Sequence, residues 1–403
     1  MEDLSMLSEL LIKNVRPLER ETVDISVVDG RVQKVSKGLL PSTSDAVMIE
    51  GENHILIPGF VDAHSHLDKT LWGLPWHRNQ AGPRLIDKIE NERRVRRELN
   101  LSAEKQATNQ IRQAIRMGTT HIRTHVDVDT EIGLKNLEGI MAAREKFKDL
   151  MNIQIVAFPQ SGMLIRPGTV ELLDEAIKAG AELIGGIDPS SIDRDPVRHI
   201  NTIFEIAGRH GIGVDIHIHE PSTLGAFSIE LVAERTKALG LQGKVNISHA
   251  FCLGMIDDAY LNQLIDLLLE NRISIMTHAP MPRPFFPPIK RLREAGVVLC
   301  SGSDGIRDTW APYGNADMLE RAMFLSWRSG FQKDEDLELA LDITTFGGAK
   351  VVGAKEYGLE VGCRADFVLI EGETRVDAIV SRAPRKYVVK NGRVVARDGK
   401  CLI

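Results

Sequence analysis

The sequence predicts an α/β fold: a (β/α)8 TIM barrel with a small β-sandwich domain built from both chain termini. Three observations carry this expectation. Eight short runs rich in β-branched residues alternate with stretches of helical periodicity through the middle of the chain. Both ends instead show alternating apolar residues around Asp-Gly and Asn-Gly turns, the texture of hairpins. Each of the eight runs also stops at a polar side chain, as strands do in a barrel whose chemistry sits on one rim.

Taken in order, "LLIKNV" and "DISVVDGRVQKVSKG" open the chain as strands, with Asp29-Gly30 as the turn. The tail answers with "GCRADFVLIEG" and "KYVVKNGRVVARDGK", turning at Asn391-Gly392 and Asp398-Gly399. Residues 1–57 and 353–403 are therefore expected to form one β domain, and residues 58–352 the barrel. The barrel runs are "ILIPGFVDAHSH", "THIRTHVDV", "IQIVAFPQ", "LIGGID", "VDIHIHE", "VNISHA", "ISIMTHAP" and "VVLCSGSD". Helical spacing separates them; in "PVRHINTIFEIAGRHG" the apolar positions are Val197, Ile200, Ile203, Phe204 and Ala207. The apolar stripe of "LNQLIDLLLEN" reads as a helix face against the barrel. The proline-rich "HAPMPRPFFPPIKRL" after the seventh run is expected to be a stiff loop walling a pocket.

Composition narrows the class. Hydrophobic residues make up 43% and charged residues 26% of the 403, the balance of a globular protein. The formal charge is −6, and Lys and Arg are scattered, so no footprint for nucleic acid or an anionic membrane appears and a small-molecule partner is expected. Cys252, Cys300, Cys363 and Cys401 lie far apart with no CxxC pair, which argues against a zinc knuckle or disulfide framework and for a reducing cytoplasm. No apolar run reaches about 18 residues, and "MEDLSMLSELL" lacks a basic leader, so neither export nor membrane insertion is expected.

The run ends deliver His64 and His66, then His125 and Asp127, Gln160, Asp188, His217 with His219 and Glu220, His249, His278 and Asp304. Residues i and i+2 of a strand face one side, so His64 and His66 can bind one cation together. A third imidazole from His217 and the carboxylate of Asp304 would complete a nitrogen-rich set with open positions. Such a set suits one catalytic divalent ion, Zn²⁺ or Fe²⁺, rather than Mg²⁺ or Ca²⁺.

With "PGFVDAHSH", single histidines ending runs five and six and an aspartate ending run eight, the sequence resembles the amidohydrolase superfamily over essentially its whole length. "HLDKT", "IRTHVDVD", "IQIVAFPQSG", "HIHE", "ISHA" and "SDGIRDTWAPYGNADML" resemble its cytosine deaminase-like branch, and also the s-triazine amidohydrolases that act on N-isopropylammelide. The resemblance implies that His64, His66, His217 and Asp304 are metal ligands. Run four carries no lysine for a second metal, which favours a mononuclear site.

A bound divalent ion makes hydroxide available near neutral pH. Asp304 beside it can take the proton, and His249 can stabilise charge in the tetrahedral intermediate. Glu220, three residues past His217, is expected to shuttle the proton to the ring and the leaving ammonia. Gln160 can read a cyclic –NH–C(=O)– edge with donor and acceptor, the role of glutamine in the matching deaminase segment. Gly305 stands where the deaminases carry a second aspartate, and so is expected to leave room for a larger ring.

Lys69 and Asp188 look more like the triazine enzyme, whereas Glu220 looks more like the deaminases. His219 is open between a supporting group, a substrate contact and an alternative proton carrier. Trp72, in the aromatic loop "LWGLPWHRNQAG", stacks on a ring or belongs to a subunit contact. The expected activity is hydrolytic deamination of a small cyclic amidine such as cytosine. The alternatives are dealkylation of an amino-s-triazine and deamination of creatinine or isocytosine. Relatives in this branch are homo-oligomers, and the resemblance implies the same here.

Overall fold

The computed structural model describes residues 9–279 and 285–402. Residues 280–284 of the proline-rich segment expected to wall the pocket lie outside them.

Eight parallel strands form the barrel: Phe60–Ser65, Thr119–Asp127, Asn152–Phe158, Leu183–Ile187, Gly213–Ile218, Val245–His249, Ser274–Met276 and Leu299–Cys300. Each pairs with its sequence neighbour. The first and eighth are joined just past the last strand, where the Ala63 amide donates to the Ser301 carbonyl at 3.0 Å and the Asp304 amide to the His64 carbonyl at 2.9 Å. Glycine is required at 302 for this approach, because a β-carbon there would collide with the backbone of His64.

Helices cover the outside of the barrel. Pro196–His210 shows how local sequence sets their ends: the Asp195 side chain accepts from the Arg198 amide, Pro196 starts the helix, and Gly211 ends it at φ 68°. Ile200, Ile203, Phe204 and Ala207 are buried as the periodicity predicts, but Val197 in the first turn is 46% exposed. Two helices rather than one separate the first and second barrel strands, Leu85–Leu99 and Ala103–Arg116. Cys252 and Cys300 are buried free thiols. No helix of the described residues is long and apolar enough to cross a membrane.

The second sheet takes Leu10–Pro17, Val23–Val28, Arg31–Ser36, Val47–Glu50 and Ile55–Pro58 from the N-terminal side. Phe367–Ile370, Arg385–Lys390, Arg393–Arg397 and Lys400–Cys401 come from the C-terminal side. The two sides meet where Ile55–Pro58 pairs antiparallel with Phe367–Ile370. At Asp29-Gly30, Asn391-Gly392 and Asp398-Gly399 both residues have positive φ, as type I′ hairpin turns require.

Strand alternation explains why this sheet is fused to the barrel. Ile55, Ile57, Val368, Ile370 and Val388 join the barrel core, whereas Leu56, Phe367, Leu369 and Val389 point into a separate core with Leu10, Ile12, Ile25 and Val27. Both faces are buried. Ile57→Ala should therefore open a cavity at the seam and cost about 2–5 kcal/mol of stability, measured by urea unfolding.

Candidate active site

The C-terminal ends of the barrel strands surround a cavity of about 740 Å³. Its polar lining includes His66, Lys69, Gln160, His217, His219, His249, His278, Asp304 and Asp308, and its aromatic lining is Trp310, Tyr313, Phe324 and Trp327.

Imidazoles crowd its floor. The ring of His64 lies 4.6 Å from that of His217 and 5.0 Å from that of His249, with His217 and His249 also 5.0 Å apart. Asp304 Oδ1 is 3.6 Å from His64 Nε2 and 3.3 Å from His66 Nε2, while its Oδ2 is 3.3 Å from His278 Nε2. Three of the chain's turns onto this rim use left-handed backbone at non-glycine residues: Asp188 at φ 38°, His249 at 75° and Asp304 at 58°. Such conformations cost on the order of 1–3 kcal/mol each and persist only where the surroundings over-determine them.

The donor set matches a divalent cation. Ligand atoms of His64, His66 and Asp304, and those of His64, His217 and His249, lie within 4.8 Å of one another. His64 Nε2 and both ring nitrogens of His217 and His249 are buried without a hydrogen-bond partner among the described residues. Orphaned buried nitrogens are costly, and a cation would satisfy them. Burial, reinforced by the neighbouring imidazoles, holds His217 well below the usual histidine range; burial and Lys69 do the same for His66. Burial alone would raise the Asp304 carboxyl, but His278 and the close approach of the His64 and His66 rings hold it well below the usual carboxylate range. Neutral imidazoles beside an ionised carboxylate are the protonation states that a divalent ion needs.

A buried polar chain fixes one of these rings. His64 Nδ1 is 2.9 Å from Ser248 Oγ, and Ser248 Oγ donates to Asp215 Oδ1 at 2.7 Å. Asp215 also accepts from Asn246 at 2.9 Å and from the Arg123 guanidinium at 2.8 Å. The Nδ1 contact leaves His64 Nε2 directed toward Asp304. Asp215 and Ser248 escaped the sequence reading, although Asp215 precedes His217 by two residues and shares its strand face. His125 packs beside them, 3.4 Å from Asp215, rather than in the cavity.

Lys69 is buried and fully partnered, with Nζ 2.6 Å from Gln160 Oε1, 3.2 Å from Asp127 Oδ1 and 3.3 Å from Glu92 Oε2. Glu92 comes from the helix Leu85–Leu99 and also receives the indole N–H of Trp310. Burial with Glu92 alongside pushes the Asp127 carboxyl up to about 8, against the pull of Lys69. An ammonium has only donors, so Gln160 must present its oxygen to Lys69, which leaves its NH₂ for a ligand.

His219 reaches the cavity held by Asp188, whose carboxylate accepts from its backbone amide at 2.6 Å and meets its Nδ1 at 2.7 Å. Asp188 itself stands behind that ring. Glu220 is not brought to the cavity: Oε1 accepts from the amides of Ser190 and Ser191 at 2.7 and 2.8 Å, and Oε2 from Ser228 Oγ at 2.7 Å. Trp72 also stays outside, its ring covered by the Arg307 guanidinium at 4.3 Å. The aromatic groups that sequence reasoning missed are Trp310, Tyr313, Phe324 and Trp327. The space at Gly305 is occupied as well, since a β-carbon there would collide with Oδ2 of Asp308.

Comparison with known proteins places this geometry. A family model described as the amidohydrolase family matches residues 48–396. An N-isopropylammelide isopropyl amidohydrolase of Pseudomonas sp. (strain ADP) is 33% identical over 97% of this chain and 98% of its own length. The crystal structure of an N-isopropylammelide isopropylaminohydrolase from Burkholderia multivorans superposes with a TM-score of 0.95 at 44% identity, covering 98% of this chain and 100% of that one. A 5-methylcytosine deaminase from Klebsiella pneumoniae, liganded with 5-fluorocytosine, gives 0.85 at 28% identity, covering 96% and 97%.

If the Ser248 bridge sets the His64 ring, Ser248→Ala should weaken zinc affinity about 10- to 100-fold while changing the melting temperature little. Competition with a chelator, read by metal analysis, measures it.

Proposed function

The chain belongs to the amidohydrolase family, and on that premise we propose that it hydrolyses the exocyclic C–N bond of an alkylamino-oxo-s-triazine of the N-isopropylammelide type, releasing the alkylamine. The observation that carries this reading over ammonia release from cytosine is the His219–Asp188 pair facing the cavity, with Glu220 turned away from it. The likeness to the two N-isopropylammelide enzymes supports it.

His64, His66, His217 and Asp304 would hold one divalent ion, zinc or iron(II), which supplies a water of lowered pKa and Lewis acidity toward the ring. Asp304 takes the proton of the attacking water on its carboxylate. His249, with both ring nitrogens unpartnered, stabilises the charge that develops as the ring carbon becomes tetrahedral. Asp188 fixes the N–H of His219 on Nδ1, so Nε2 carries the lone pair that takes up the proton released by the water, passed on from Asp304, and then delivers it to the leaving nitrogen. The ring–nitrogen bond then breaks, the amine departs neutral, and the ring keeps the new oxygen. Gln160, oriented by Lys69, donates to a ring carbonyl. Trp310, Phe324 and Trp327 give the substituent apolar wall rather than water. Glu220 braces the turn after Asp188 through the amides of Ser190 and Ser191.

Zinc- or iron-loaded protein should release isopropylamine from N-isopropylammelide faster than ammonia from cytosine, followed by amine and ammonia assays. His219→Asn should lower kcat by about 100-fold or more with metal content unchanged. Glu220→Gln should instead lower the melting temperature with a smaller effect on kcat. A silent Glu220→Gln beside an active His219→Asn would return the proton to Glu220 and the chain to deaminase chemistry.

A further inference from the structure

We propose that Asp308 is a specificity-determining residue: its carboxylate accepts a hydrogen bond from a ring N–H and selects rings with an –NH–C(=O)– edge over rings with bare nitrogens. The inference rests on the proposed reaction at this site and names the edge by which its substrate is held.

Asp308 is buried at 6% exposure yet lines the cavity. Its Oδ1 accepts from the amides of Trp310 and Ala311 at 2.8 and 2.9 Å, and its own amide donates to the Ala311 carbonyl at 3.2 Å. The side chain is thereby fixed in the turn, and Oδ2 has no hydrogen-bond partner among the described residues. That free oxygen occupies the volume a side chain at 305 would fill.

The other polar groups of the pocket leave this role open. Lys69 directs its ammonium at Gln160, Asp127 and Glu92. Gln160 gives its oxygen to Lys69 and keeps a donor, which can meet a carbonyl but leaves the adjacent N–H to another group. Asp304 faces the imidazoles. Glu320, a further carboxylate of the lining, faces the Arg382 guanidinium at 3.6 Å, so Gln160 and the unpaired Oδ2 of Asp308 together supply the donor and acceptor of a lactam edge. A ring nitrogen without hydrogen would set a lone pair against a buried carboxylate. Sites built this way reject the wrong partner by leaving polar groups unpaired. Burial pushes the Asp308 carboxyl up to about 6, which leaves it an acceptor at neutral pH and above.

The test compares wild type with Asp308→Asn, Asp308→Ala and Gly305→Ala, the last displacing the carboxylate without removing it. Two readouts serve: kcat and KM on N-isopropylammelide and on N-isopropylammeline, whose second oxo group is replaced by an amine, and calorimetric binding of cyanuric acid and melamine to metal-loaded protein. Wild type should prefer the oxo-rich rings. All three variants should weaken cyanuric acid binding and raise KM for N-isopropylammelide about 10- to 100-fold, with kcat less affected, metal content equal and the preference compressed. An Asp308→Ala protein with unchanged KM and binding overturns the proposal and leaves the reaction standing. Wild type that binds cyanuric acid but turns over neither triazine overturns the reaction, and the variants' loss of binding still decides Asp308. Wild type that binds no ring overturns both.

Discussion

Closure of the barrel between its first strand and the segment after its eighth is the constraint from which the site follows. The Asp304 amide donates to the His64 carbonyl, so the carboxylate and the first imidazole are joined through backbone rather than through side-chain choice. Gly302 permits the approach because any β-carbon would strike His64. Left-handed backbone at Asp304 then turns its carboxylate toward His64, His66 and His278. Strain of this kind needs a rigid frame, which the eight-stranded closure and its core provide.

Beneath that floor the barrel interior is polar where an ordinary barrel would be aliphatic. Asp215 carries a full charge at no exposure, which is tolerable because Arg123, Asn246 and Ser248 all bond to it. Replacing the set with aliphatic residues would remove the desolvation cost, so stability alone does not explain it. Its reach explains it better: through Ser248 the charge acts on His64 Nδ1, which settles which nitrogen of that ring faces the cavity.

Much of this was legible because barrel strands obey a period of two and end at one rim. The eight strands and the arrival of His64, His66 and His217 in one cluster follow from that rule, whereas Asp304, beyond the end of Leu299–Cys300, is brought to them by the closing turn. Legibility falls where the chain leaves the strands. Glu220 sits beyond the end of Gly213–Ile218, so its spacing from His217 says nothing about direction, and a turn bearing two free amides captures it. Trp72 and Trp310 are both loop tryptophans, and only the fold shows which one meets the cavity. Gly305 read as empty space because a missing side chain is visible in sequence, whereas Asp308 folding back into that space is not.

The extra helix Leu85–Leu99 had no place in a minimal strand–helix alternation, and the charge of Lys69 accounts for it. An ammonium buried this deeply is stable only when carboxylates surround it, and Asp127 alone would be a poor partner because burial favours its neutral form. The helix contributes Glu92, which meets Lys69 Nζ and the Trp310 indole together. Arg93 and Arg96 on the same helix face Asp129, and Arg96 also faces Asp127, so the helix is fastened by ion pairs more than by its few buried apolar residues. One carboxylate thus couples an inserted helix, the lysine that orients Gln160 and the aromatic wall. The insertion belongs to the pocket, since without it the lysine would lose a counter-charge and Trp310 its anchor.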